Sequence, residues 1–249
     1  MYFSKEELEI FEKLEFPQKP VAVSLTIKQP EGIERLDEKI RVCDMVKRAR
    51  ERDPFYTDSE NHTCEAGWSV LGYGDPPQAF TSGVFACELT GYKTPRAGSR
   101  VYHSNPKLAK NQINYVVFST LDKLTFEPDL LLLCTDKRST LLVLRALVWS
   151  TGHVLESKVT LSMECSWYIA SPYITGEVNT FIGSVGFATH RAKTWAMGET
   201  AVCIPYEKVP MLMENLREMP WEEPFYGEEG LEFKKRLREE LGLDTSIID

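Results

Sequence analysis

Six cysteines occur in this chain of 249 residues, and three of them sit where a core thiol would not. Cys64 lies in "NHTCEAGWSVLGYGD" (61–75), two residues after His62, with a polar approach and glycine-punctuated apolar sequence behind it. Cys43 precedes "DMVKRAR" near a helix start, where the helix dipole and nearby Lys47 and Arg48 favour thiolate over thiol. Cys165 stands between Glu164 and Trp167, in a segment that opens after "KVTLSM". The other three read as small core hydrophobes: Cys87 in "GVFACEL", Cys134 at the end of "PDLLLLCT" and Cys203 in "AVCIP".

Thiolates suit iron–sulfur clusters, zinc and copper(I), and residue types alone do not choose among them. No CxxC pair is present, so the strongest local metal signature is missing. Ligands from three separate segments can still assemble in space. Three thiolates on a [4Fe–4S] cluster would leave one iron for His62, Glu164 or a substrate. The expected metal ligands are therefore Cys43, Cys64, Cys165 and His62, holding an iron–sulfur cluster of the [4Fe–4S] type or another thiophilic metal. Trp68 and Trp167 lie near two of these cysteines and are expected to border the cofactor. With Tyr73, Tyr168, Tyr173 and Trp195 they form either core or the wall of a cleft for a flat ligand.

Two rival readings use the same residues. One is an enzyme without metal whose nucleophile is Cys43, activated by its helix position. The other is a non-catalytic module that holds an aromatic small molecule in the Trp/Tyr cleft. Other chemistries lack their patterns. "GSVG" (183–186) has neither the nucleophile-elbow spacing nor the residues of a phosphate loop, and His103, His153 and His190 are scattered.

Composition is that of an ordinary globular chain, 43% hydrophobic and 27% charged. Between residues 220 and 249, nine acidic side chains against four basic ones account for five of the eight net negative charges. The nearly neutral remainder argues against a nucleic-acid partner, and the basic run "KRARER" (47–52) reads as a solvated helix face. No basic, then apolar, leader opens the chain, and no apolar run approaches the ~18 residues that span a bilayer. We therefore expect a cytoplasmic protein without a membrane partner, in a reducing compartment where cysteines serve as core thiols or ligands.

The elements that must position these residues follow from periodicity. Ser4 and Glu7 have capping-box spacing ahead of a first helix carrying Leu8, Phe11 and Leu14. "PVAVSLTI" (20–27), "NYVVFSTL" (114–121), "PDLLLLCT" (128–135), "NTFIGSVGFA" (179–188) and "TAVCIPY" (200–206) read as strands, the third apolar on both faces. Helices are expected over 36–52, 138–152 and 207–219, with 57–78 loop-like. Residues 1–219 then form one α/β or α+β domain, a mixed sheet with flanking helices. "MPWEEPFYG" (219–227) is a linker to an acidic amphipathic helix bearing Phe233, Leu237 and Leu241, through which a homo-oligomer is expected. A weak internal similarity, about 19–110 against 114–206, pairs two strand–helix units that each lead to a cysteine and a tryptophan.

At these residues the chain resembles the uncharacterised prokaryotic ArCR family, domain of unknown function 169. The resemblance runs over 19–216 through "KPVAVSLTI", "RVCDMVKRAR", "HTCEAGWSVLGYGDPPQ", "YVVFSTLDKLTFEPDLLLLCTD", "ECSWYIASPYITGEVNTFIGSVGFATHR" and "AVCIPYEKV". It implies that Cys43, Cys64 and Cys165 match the family's recurring cysteines. It supplies no reaction. Where members often carry a fuller Gly/Cys-containing turn, this chain reads "GSVGFATHR". The expectation is thus a cytoplasmic metal-binding protein whose partner is a small molecule or a redox partner.

Overall fold

The computed structural model describes residues 2–182, 198–222 and 227–248. The expected strand over 179–188 lies partly, and "GSVG", His190, Trp195 and part of the 219–227 linker lie wholly, outside the described residues. In chain order the elements are α1 (Lys5–Lys13), β1 (Gln18–Thr26), β2 (Glu34–Arg35), α2 (Val42–Ala49) and β3 (Phe55–Thr57). Then come α3 (Glu65–Val70), α4 (Gln78–Thr81), α5 (Val84–Thr90), α6 (Pro95–Ser104), β4 (Tyr115–Thr120), β5 (Leu130–Thr135) and α7 (Lys137–Val148). The chain continues through α8 (Ser171–Thr175), β6 (Asn179–Ile182), β7 (Thr200–Pro205), α9 (Val209–Glu218) and α10 (Glu228–Glu240).

Among the described residues seven strands form one mixed sheet in the order β2-β3-β4-β1-β5-β7-β6, parallel only between β2 and β3. With its flanking helices this is an α+β fold. Strand alternation divides the core between the two sheet faces. Val21, Val23, Leu25, Leu130, Leu132 and Cys134 face α2, α3, α4 and α6. Ala22, Leu131 and Leu133 face α1, α7 and α9. β5 is buried at every position because β1 and β7 flank it and helices cover both faces. Leaving out the two-residue β2 at the edge, the order is symmetric about the β1–β5 pair, but α2 and α7 pack on opposite faces. A two-fold axis through that pair therefore relates strands and not helices.

Local chemistry sets the helix ends. Ser4 and Glu7 form the expected capping box. Asp136 and Ser139 form another at α7, with Asp136 Oδ1 accepting from the Ser139 amide at 2.7 Å. Asp136→Ala should cost about 1 kcal/mol in a denaturant titration.

The expected helix over 36–52 shrinks to α2. Residues 36–41 are instead held by the 55–63 segment: the Leu36 amide donates to the Tyr56 carbonyl, and the Asn61 side chain donates to the Leu36 and Glu38 carbonyls. The loop-like stretch 57–78 contains α3. Beyond it α4, α5 and α6 form a helical subunit where sequence periodicity is too short to read. Gly83 begins α5 at φ 81°, and α6 crosses so closely that a Cβ on Gly98 would stand 2.3 Å from the Gly83 carbonyl oxygen. Only glycine permits both.

α10 docks by Phe233 on Trp149, ring centroids 6.1 Å apart, while Leu237 and Leu241 are exposed. The basic run is matched by carboxylates: Lys47 meets Glu51, Arg48 meets Glu38 and Glu51, and Arg52 meets Glu34 and Asp37. Among the described residues no helix is long and apolar enough to cross a membrane.

Candidate functional site

Three helix starts converge on one face of the sheet. Cys43 occupies the second position of α2, Cys64 caps α3, and Cys165 leads into a π-helical turn, Ser166–Ala170, that runs on into α8. All three line a single cavity of about 90 Å³. Around them stand Arg41, Gly67, Phe85, Leu161, Glu164 and Tyr168, with further apolar lining from Val42, Ala66, Leu89 and Met163. Leu161 is 58% exposed, so the cavity reaches the surface on that side. Cys87, Cys134 and Cys203 lie elsewhere: Cys134 and Cys203 are fully buried within β5 and β7.

The close packing has identifiable causes. A Cβ on Gly67 would stand 2.7 Å from Val42 Cγ2 and 3.8 Å from Cys165 Sγ, so the bare glycine lets α3, α2 and the π turn meet. Met163 turns the chain toward Cys165 in the left-handed region, φ 57°, a costly conformation for a residue with a side chain. Its carbonyl accepts the Ser166 amide, and the Glu164 carbonyl accepts those of Trp167 and Tyr168. π turns of this kind recur at functional sites.

Burial dominates the electrostatics. The Cys43 thiol is pushed up to about 12, first by desolvation and then by Asp44, against a smaller opposing effect of Arg41. Cys165 is held well above the ordinary thiol range by burial, then by the charges of Cys64, Cys43 and Glu164. Tyr168 rises for the same reasons. Arg41 is fixed by a bidentate pair with Asp44, at 2.6 and 3.1 Å, and its charge acts on both Cys43 and Cys64. The thiolate expected at Cys43 from helix position is therefore reversed. Lys47 and Arg48 pair with glutamates instead, and burial raises the Cys43 thiol. Iodoacetamide at neutral pH should label metal-free Cys43 far more slowly than an exposed thiol, as peptide mass spectrometry would show.

The remaining expected residues do not reach the cavity lining. His62 packs against Tyr73, centroids 5.1 Å apart, and burial lowers its imidazole to about 4. Neither ring nitrogen has a hydrogen-bond partner among the described residues. Trp68 covers Gly74, where a Cβ would lie 2.0 Å from the indole. Trp167 donates from Nε1 to Thr160 Oγ1 at 2.8 Å, and Thr160 in turn donates to Asn105 Oδ1. It thereby pins the segment carrying Leu161, Ser162 and Met163, a positioning role rather than a wall. The aromatic lining comes from Phe85 and Tyr168.

Sequence reasoning missed Phe85, Leu89 and Leu161, which carry no chemical signal, and Arg41, whose i,i+3 spacing to Asp44 could have revealed it. Among the described residues no three His, Cys, Asp or Glu side chains are grouped so as to hold a metal ion. The three thiols line the cavity together with eleven other residues.

No solved structure matches the chain. An uncharacterised protein of Methanocaldococcus jannaschii is 26% identical over 190 residues, covering 75% of this chain and 80% of that protein. Residues 9–215 match the family described as uncharacterised ArCR, domain of unknown function 169, and the chain belongs to that family.

Proposed function

We propose that the chain is a cytoplasmic metalloprotein that carries an iron–sulfur cluster on Cys43, Cys64 and Cys165 and uses it for redox chemistry or to bind a small molecule. The observation that carries this reading is the meeting of three cysteines from separate segments at one cavity, Cys165 lying 101 residues beyond Cys64 in the chain. The donor set fits the group. Three sulfurs supply the soft ligands a cluster requires. They line a cavity of about 90 Å³, room for several water-sized bodies. A buried thiol that resists ionisation by itself loses its proton on coordination, so binding offsets the desolvation noted above. The open side at Leu161 gives a small ligand access to the fourth position.

A nucleophilic cysteine is the weaker reading, since Cys43 is shifted away from thiolate. The test is anaerobic purification followed by visible absorption and assays for iron and acid-labile sulfide, before and after reconstitution with both. A brown protein with both elements is expected. A colourless, iron-free chain after reconstitution would overturn the proposal.

A further inference from the structure

We propose that residues 153–162 form a hinged strap that gates the cysteine cavity, with Thr160 as its latch. The inference concerns access to the cavity and stands whether or not a cluster occupies it.

Between α7 and the π turn the chain runs from Gly152 to Met163 without helix or strand. Irregular stretches of this length are uncommon in a compact domain, and lids are a common reason for them. Both ends of the strap bend through the left-handed region, Gly152 at φ 63° and Met163 at φ 57°. Glycine takes that conformation at little cost and methionine does not, so Met163 holds it against a local preference.

Little else ties the strap to the body. Val154, Val159 and Leu161 are exposed, and of its apolar residues only Leu155 packs against the core beneath α7 and α9. Among the described residues no backbone–backbone hydrogen bond holds 153–162. Side chains grip it instead, at two points. Asn179 accepts from the Lys158 amide at 3.0 Å and donates to the Lys158 carbonyl at 3.2 Å, while the Ser157 hydroxyl accepts from the Thr180 amide. Nearer the cavity, Thr160 Oγ1 accepts from Trp167 Nε1 at 2.8 Å and lies 2.7 Å from Asn105 Oδ1. Asn105 Nδ2 in turn donates to the Ser162 carbonyl at 3.1 Å. Asn105 and Trp167 are buried in the body, which makes Thr160 the moving half of the latch.

The strap also has room to move. A groove of about 370 Å³ separates its Val154, Leu155 and Lys158 from Ser171, Thr175 and Val178. At the other end, Leu161 and Ser162 wall the cysteine cavity. Release of Thr160 would let the strap swing into the groove, withdrawing that wall and admitting small molecules to Cys43, Cys64 and Cys165. Few buried apolar contacts and an exposed backbone mark a segment that opens without global unfolding.

The experiment alkylates the full chain, stripped of any bound metal, with iodoacetamide at one fixed pH, and follows each cysteine by peptide mass spectrometry. The native chain is compared with Thr160→Val, which keeps the side-chain shape and removes the hydroxyl that Trp167, Asn105 and Ser162 share. Loss of the latch should speed labelling of Cys43, Cys64 and Cys165 by about tenfold and leave Cys134 and Cys203 at their native rates. A second measurement needs no variant: amide hydrogen exchange of the native chain should be faster over 153–162 than over Ser166–Ala170. Unchanged labelling of the cavity thiols, equal acceleration of Cys134 and Cys203, or strap amides as protected as those of β5 would each overturn the gate.

Discussion

Cys64→Ser should abolish iron and sulfide binding, and Cys43→Ser and Cys165→Ser should do the same. A serine hydroxyl is isosteric with the thiol but is a hard donor with a far higher pKa, so it does not replace a thiolate on a sulfide-bridged iron. Because the proposed ligands come from three separate segments, two sulfurs alone should not hold the cluster. Reconstituted native protein should also resist unfolding more than its metal-free form. A ligand at a hundredfold excess over Kd adds about 2.7 kcal/mol, and each ligand variant should lose that increment. Cys134→Ser and Cys203→Ser form the contrast. Both thiols are fully buried in the sheet, so a hydroxyl there should cost about 1–3 kcal/mol while iron content stays unchanged. Loss of iron from the second group as readily as the first would remove the distinction between ligands and core thiols.

Gly67→Val should have the next largest effect. The new branched side chain would have to enter the contact with Val42 and extend toward Cys165 Sγ. Overpacking of this kind costs about 1–3 kcal/mol, and here the strain falls on the cavity wall next to Cys165. We expect a folded protein by circular dichroism that takes up little iron and melts at a lower temperature. Gly67→Ala should be intermediate, since its single methyl meets only Val42 within 3 Å. Unchanged iron uptake by Gly67→Val would mean that the cluster does not lie between α3 and the π turn.

How far the site was legible depended on the kind of signal each residue carries. Cys64 and Cys165 stand out because cysteine in polar company is unusual, and the cavity does contain both. Cys134 and Cys203 were readable as core because their neighbours are apolar on both sides of a strand. Cys134 nonetheless has Glu199 and Gln18 beside it, polar neighbours that no local pattern announces. β5 was legible from its unbroken apolar run, since a strand covered on both faces has no polar side to alternate with.

The failures share a cause in distant partners. Ile40 and Val42 have helical spacing with Val46 and Ala49, but the backbone before α2 bonds to residues near Asn61, and that competition is invisible along the chain. α4 and α5 have four and seven residues, too few for a periodic stripe, and their ends are set by Gly83 and Gly91 in left-handed conformations. His62 seemed a ligand by proximity to Cys64. The pairing of Ile40 with His62 sets the backbone there, and the ring lies on Tyr73. Proximity in sequence to Cys64 therefore does not bring His62 to the cavity that the cysteines line.

The most direct measurement is anomalous scattering at the iron edge from crystals grown without oxygen after reconstitution. The account predicts iron peaks inside the cavity, within bonding distance of the sulfurs of Cys43, Cys64 and Cys165. Three unligated thiols around a cavity without anomalous density would contradict it.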